Sequence, residues 1–210
     1  MNFKTEQENF WRGDFGTEYC ARNDLSPGTL AARVSFWSTV LHRIPHALPT
    51  SILECGANIG INLHALSILL PQAELHAIEI NPAAAETLRA WGRAEVHETS
   101  ILEFAPTRTW DFVFTSGVLI HIAPEALPQV YATMHNASHR HVFLAEYYNP
   151  VPVEIPYRGF SGRLFKRDFA GEMLDAYPSL ALHSYGFAYH RDPNFPSDDL
   201  NWFLLEKRGH

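Results

Sequence analysis

Residues 51 to 60 read Ser51-Ile-Leu-Glu54-Cys-Gly56-Ala-Asn58-Ile-Gly60, and a second acid, Glu79, follows nineteen residues past the last glycine. An acid ending one apolar run, glycines that let backbone amides approach a ligand, and an acid ending the next run form a cradle for a nucleoside. Glu79 would accept two hydrogen bonds from a ribose diol. More reactive residues lie downstream. His121 falls just past a later apolar run, and an imidazole with its ordinary pKa of about 6.5 suits a general base at neutral pH. Glu146, Tyr147 and Tyr148 end another run and would line an acceptor pocket, with Tyr147 beside the reacting atoms. Tyr157, Arg158, Lys166 and Arg167 make a basic, aromatic group suited to a carboxylate or phosphate, although Lys166 and Arg167 would equally cap and solvate a helix start.

The spacing inside the turn selects the cofactor. A dinucleotide fingerprint needs glycine at 56, 58 and 61, whereas the chain has Asn58 and Ile61. Acid-x-Gly-x-Asn-x-Gly is instead the pattern of class I S-adenosylmethionine methyltransferases, and Glu54, Gly56, Asn58 and Gly60 occupy it. A metal-dependent reaction is not expected, since no Cys/His ligand spacing occurs and no cluster of acids at strand ends resembles a catechol-type magnesium site. Asn149-Pro150 is superficially like the Asn-Pro-Pro-Tyr signature of amino-group methylation. It follows the wrong strand and lacks the second proline and the aromatic.

The elements that must position these groups alternate. The pattern predicts strands over 51–55, 75–80, 96–100, 110–115 and 141–148, with helices over 59–70, 82–91 and 124–137 between them. Asn81-Pro82 makes a cap and first-turn pair, and Ile101 to Phe104 a helical turn. Such alternation gives a parallel sheet with right-handed crossovers and a ligand crevice at the carboxyl ends of its strands. Before it, Phe3, Phe10, Trp11, Phe15 and Tyr19 share one face of an amphipathic stretch over 3–23, interrupted at Gly13 and Gly16, which reads as a lid. A helix over 28–43 follows. After residue 148 comes a proline-rich loop over the site, then a helix over 166–177 and strands over 182–190 and 201–207.

With 210 residues, 46% of them hydrophobic and 13% aromatic, the chain can bury a substantial core, and one α/β domain over 1–210 is expected. Within it, 1–45 would be the helical lid, 50–148 the cofactor core, and 149–210 the substrate loop and closing strands. A net charge of −7 repels polyanions and argues against a nucleic-acid partner. Two cysteines, Cys20 and Cys55, make no disulfide framework. With no signal-like or membrane-length apolar run, the expectation is a cytoplasmic protein without membrane attachment.

Several blocks together resemble one family. Phe10-Trp11-Arg-Gly13-Asp-Phe15-Gly16-Thr-Glu-Tyr19, the turn at 54–60, Gly117-Val-Leu-Ile-His121, Ala145-Glu-Tyr-Tyr-Asn-Pro150, Pro156-Tyr-Arg-Gly159, Leu164-Phe-Lys-Arg-Asp-Phe-Ala170 and Tyr189-His-Arg-Asp-Pro-Asn-Phe-Pro196 are similar to the pseudaminic acid biosynthesis-associated methylases. The resemblance implies a Rossmann-like class I fold: a mostly parallel seven-stranded sheet, an antiparallel closing strand and an N-terminal helical lid. It also implies S-adenosylmethionine as donor and a sugar-related acceptor. Glu54 and the amides of Gly56 to Gly60 would then hold the methionine end, Glu79 the ribose, and Ile80 the adenine face. Where such enzymes often carry an acid for the adenine amine, this chain has Ser100 beside Ile101; Ser100 would accept that bond, or Glu103 would replace it, or Ser100 simply caps a turn. Trp11, Tyr19 and Arg22 would cover the cofactor, Arg22 pairing with its carboxylate, unless the aromatic pair only packs. Methyl transfer to oxygen or nitrogen of a small polar acceptor is the leading reading. The alternatives are an NAD-dependent oxidoreductase and a catalytically silent cofactor-binding module.

Overall fold

A computed structural model describes residues 4–209, so Phe3 lies outside the described part of the chain. In chain order the elements are α1 (Glu6–Arg12), α2 (Asp14–Cys20), α3 (Pro27–Leu41), β1 (Ser51–Cys55), α4 (Ile61–Leu69), β2 (Glu74–Glu79), α5 (Pro82–Trp91), β3 (Glu95–Glu98) and β4 (Trp110–Ser116). Then follow α6 (Leu127–Ala137), β5 (Ser138–Glu146), β6 (Val153–Glu154), β7 (Phe165–Lys166), α7 (Phe169–Ala176), β8 (Leu180–Ala188) and β9 (Leu200–Lys207).

Seven strands form one sheet in the order β3-β2-β1-β4-β5-β9-β8, with β6 and β7 as a separate pair. β1 to β5 pair in parallel, while β9 is antiparallel to both β5 and β8. This is the expected sheet, mostly parallel with one antiparallel strand. Strand order reverses between β1 and β4, and ligand crevices of such sheets open there, beyond the carboxyl ends. Both faces are covered, so the central strands are buried through and through: every residue of β1 is. On one face Trp37 of α3, with no exposed surface, packs edge-on against Phe114 at 4.7 Å and tilted against Phe143 at 5.2 Å. Truncating such a ring costs about 3–5 kcal/mol. It also fixes the rotation of α3, whose Arg33 lies one turn earlier on the same side.

Local chemistry explains most boundaries. Asn81 caps α5, its Oδ1 accepting the amides of Ala83 (3.0 Å) and Ala84 (3.2 Å), with Pro82 at the first helical position. In the lid the helix breaks at Gly13 but not at Gly16, which lies inside α2. Gly16 has a packing role, because a Cβ there would collide with the Trp11 carbonyl. The last helix also differs from expectation: it starts at Phe169, where Asp168 accepts the Gly171 amide at 2.8 Å. Lys166 and Arg167 therefore sit on and just after β7, not at a helix start. β5 begins at Ser138 and ends at Glu146, leaving Tyr147 and Tyr148 beyond it. Among the described residues no helix is long and apolar enough to cross a membrane.

Candidate active site

A cavity of about 200 Å³ opens at the carboxyl ends of β1, β2 and β4. β1 delivers Glu54 and the turn that follows, β2 delivers Glu79, the loop after β3 brings Ser100 and Ile101, and the loop after β4 brings His121. α1 and α2 close it, with Trp11, Gly16 and Tyr19 in its wall, as a lid would. The lid is pinned to both halves: Asn81 Nδ2 donates to the Trp11 carbonyl and to Thr17 Oγ1 (both 3.1 Å), while Gln7 Nε2 donates to the Gly162 carbonyl (2.9 Å).

The turn is held by the acid it was expected to accompany. Glu79 Oε2 accepts the Asn58 amide at 2.6 Å and Oε1 accepts the Asn81 amide at 2.7 Å. Burial raises its pKa against these bonds. A carboxylate has about four acceptor directions, so two backbone amides leave room for a diol. Gly56 has φ +77°, and a Cβ there would come within 2.7 Å of Val118, so the turn abuts the loop after β4. Gly60 also has positive φ, but it is outside the cavity wall, and its missing Cβ makes room for Leu88 of α5.

Glu54 is 1% exposed, and burial pushes its carboxyl up to about 8, opposed by an Asn62 hydrogen bond and the Arg33 charge. Its Oε1 accepts Asn62 Nδ2 at 2.7 Å, and Asn62 Oδ1 accepts Trp37 Nε1 at 3.1 Å. Among the described residues, Glu54 Oε2 has no hydrogen-bond partner, and neither do Arg33 Nη1 and Trp11 Nε1. All three residues line the cavity. Leaving such buried groups unsatisfied costs about 1–3 kcal/mol each, and more for charged ones, so the arrangement is built to receive a polar ligand.

Nine of the residues singled out for the cofactor meet here: Trp11, Tyr19, Glu54, Gly56, Asn58, Glu79, Ile80, Ser100 and Ile101. Ser100 also caps its turn, Oγ accepting the Leu102 amide at 3.1 Å. Arg22 is not brought in; it lies in the turn after α2 and faces Glu18 of that helix at 3.9 Å, with its side chain nearly half exposed. The cation in the wall is Arg33. Glu103 pairs with Lys4 at 2.8 Å and is outside the wall. Arg33 and Asn62 went unrecognised in the sequence, and Asn81 was read only as a helix cap; the only signal for Arg33 was its position four residues before a tryptophan.

The side of the cavity that carries His121 is built differently. His121 Nδ1 lies 2.6 Å from the Arg163 carbonyl, to which it donates as the neutral ring, leaving Nε2 as the acceptor nitrogen. Burial holds its pKa down at about 4, partly offset by that bond. Its ring packs against Trp11 (4.6 Å) and Tyr157 (5.0 Å), within an aromatic group that includes Phe10, Phe15 and Phe160. Glu146 does not line the cavity. It is buried and accepts the amides of Val118 (3.1 Å), Leu119 (3.2 Å) and Ile120 (3.4 Å), so it anchors the loop that carries His121. Burial raises its pKa to about 7.

None of Tyr147, Tyr148, Tyr157, Arg158, Lys166 and Arg167 is in the cavity wall, although Tyr157 reaches it through His121. Tyr147, its phenol pushed up to about 12 by burial, carries Lys166 over its ring at 5.1 Å. Tyr148 is exposed beside Phe203, and Arg158 lies over the Tyr157 ring at 5.6 Å. Arg167 donates to Glu172 at 2.7 Å, and Glu172 accepts from Tyr131, so the cation is spent outside the cavity wall.

No family model matches the sequence, and no curated protein is significantly similar to it. Solved structures share its fold. One is the 1,6-didemethyltoxoflavin-N1-methyltransferase of Burkholderia thailandensis with bound 1,6-didemethyltoxoflavin and S-adenosylhomocysteine, at TM-score 0.69 and 16% identity, covering 99% of this chain and 91% of that one. Another is the plantazolicin methyltransferase BpumL with SAH, at 0.66 and 14%, covering 96% and 93%. A third is the magnesium protoporphyrin IX methyltransferase ChlM of Synechocystis PCC 6803 with SAM, at 0.64 and 11%, covering 99% and 100%. At these identities the likeness establishes a Rossmann-like class I methyltransferase fold.

Proposed function

We propose that this chain is an S-adenosylmethionine-dependent methyltransferase acting on an oxygen or nitrogen of a small polar acceptor. The observation that carries the reading is a pair of buried polar atoms without a hydrogen-bond partner among the described residues, Glu54 Oε2 and Arg33 Nη1, on side chains that line one cavity. Together they suit the ammonium and carboxylate of an amino-acid head. Glu79 would take the ribose diol, and the apolar walls at Ile80 and Ile101 the adenine. A pyrophosphate fits poorly, because the Asn58 amide is taken by Glu79 and the Ile59 amide by Asn58 Oδ1 at 2.8 Å.

When bound, the cofactor supplies an electrophilic methyl on a sulfonium. Displacement from it is in-line, so the protein's task is alignment and exclusion of water. Trp11 and Tyr19 close the cavity from the lid side. His121, neutral above about pH 4, accepts the proton of the attacking hydroxyl or amine at Nε2 while Nδ1 stays on the Arg163 carbonyl. Glu146 holds the His121 loop and takes no part in proton transfer. The rings of Phe10, Phe15 and Tyr157 offer faces on which a sugar or planar acceptor can lie. With the resemblance of the C-terminal segment, they support a sugar-related acceptor.

Calorimetric titration with S-adenosylmethionine, S-adenosylhomocysteine and NADH tests the cofactor. Saturable binding of the two sulfur compounds and none of NADH is expected. Binding of NADH alone would replace this reading with an oxidoreductase. Binding of the sulfur compounds without turnover of any sugar, amine or phenol acceptor would favour a silent module.

A further inference from the structure

We infer that the edge of the sheet carries a second site, a divalent metal site formed by His76 of β2 with Glu95 and His97 of β3. It shares no residue with the cavity wall. The register pairs His76 with Glu95 and Ile78 with His97, and side chains two apart on a strand share a face, so the three groups converge across one strand pair. His76 Nδ1 lies 3.6 Å from Glu95 Oε2, and His97 Nε2 lies 3.8 Å from Glu95 Oε1. All the ligand atoms fall within 4.8 Å of one another.

These separations are too long for hydrogen bonds and slightly longer than a shared ion needs. Bonds of 2.0–2.1 Å in a tetrahedron place ligands ~3.3 Å apart, so closing a set whose atoms lie within 4.8 Å of one another takes shifts of up to about 1.5 Å, which the exposed Glu95 side chain can supply in large part. Both facing nitrogens, His76 Nδ1 and His97 Nε2, are buried without a hydrogen-bond partner among the described residues. His76 is 6% exposed, so its orphaned nitrogen is the second, independent mark of a ligand. The two imidazole rings lie nearly parallel, 11° apart with centroids at 5.9 Å, and are backed by Trp110 behind His76 and Phe104 behind His97. Burial lowers the pKa of His76, which favours the neutral ring. The cation acting on it, Arg108, is engaged by Glu74 at 2.9 Å.

Two imidazoles and one carboxylate, with a water in the fourth position, form a donor set suited to Zn²⁺. The ion would tie the edge strand β3 to β2, just before Thr99, Ser100 and Ile101 enter the cavity wall. Edge strands are otherwise held from one side only.

Tag-free, chelator-treated protein titrated calorimetrically with Zn²⁺ and melted with and without it tests the site. One saturable equivalent and a raised Tm are expected. His97→Ala and Glu95→Gln should each weaken binding more than ~100-fold, beyond the 10–100-fold loss typical of a group outside the coordination sphere. They should also abolish the Tm rise. Glu95→Gln is the safer variant, because that side chain is 66% exposed and its loss leaves the core intact. His64→Ala, which removes a ring stacked on Trp91, should bind like the parent. No saturable equivalent, or unchanged binding and Tm response in both site variants, would overturn the inference. S-Adenosylmethionine binding is read separately, so failure here and failure of the methyltransferase reading are distinguishable.

Discussion

The half of the cavity proposed to hold the cofactor and the half proposed to hold the acceptor follow different rules. In the first, Glu54, Gly56, Asn58, Glu79 and Ile80 come from 27 consecutive positions, 54 to 80, and one strand-turn-helix-strand unit assembles them. In the second, His121 takes its orientation from Arg163, its loop from Glu146 and its packing from Trp11 and Tyr157. Those contacts draw on segments from Trp11 to Arg163, the Trp11–His121 pair alone spanning more than a hundred residues. A generic donor can thus be held by a local motif while acceptor chemistry is set by whatever loops are packed against it.

The largest test of that division is His121→Ala. Removing a general base costs 10²–10⁴ in turnover, and S-adenosylhomocysteine affinity should stay within about twofold, since the ring belongs to the acceptor half. Near-normal turnover would reduce His121 to packing. Next comes Glu79→Ala, which removes two amide bonds and the diol acceptor together. At about 1.5–3 kcal/mol per bond to a charged group, cofactor Kd should rise at least ~100-fold by calorimetry, and unchanged affinity would break the assigned register. Arg33→Ala should weaken cofactor binding by ~10- to 100-fold, while Arg22→Ala should leave it unaltered; the reverse order would return the carboxylate contact to the lid.

The smallest effects lie in pH. An ordinary histidine base would lose ~25-fold in rate between pH 7 and 5, but His121, with a pKa of about 4, stays deprotonated, so turnover at saturating cofactor should be nearly flat there and fall only near pH 4. Glu54 acts in the opposite half. Its pKa of about 8 means that the free protein carries it protonated at pH 7, and a bound ammonium favours the ionised form. Binding should therefore release up to one proton near neutrality, and affinity should rise with pH up to about 8. Calorimetry in buffers of different ionisation enthalpy measures that proton, and Glu54→Gln should abolish it. The same linkage makes the free fold less stable as pH climbs from the usual glutamate pKa of about 4.5 to about 8, because ionising a buried acid costs more in the folded state.

What the sequence by itself determined is what short-range sterics and periodicity control. Alternating apolar runs implied the parallel sheet, Asn81-Pro82 marked the start of α5, and glycines with positive φ at 56 and 60 betrayed the turn, because only local backbone geometry was at stake. The lid was legible as an aromatic face, yet Gly16 was misread as a break when its reason is a carbonyl packed against it. The tertiary structure alone decided which charges are spent and which are free. Arg167 is neutralised by Glu172 five residues on, Glu146 is turned onto the backbone amides of the loop after β4, and Arg33 rather than Arg22 reaches the cavity, each decided by how the elements pack. A charged side chain's role depends on its burial and its partner, and neither is encoded in the spacing of its immediate neighbours.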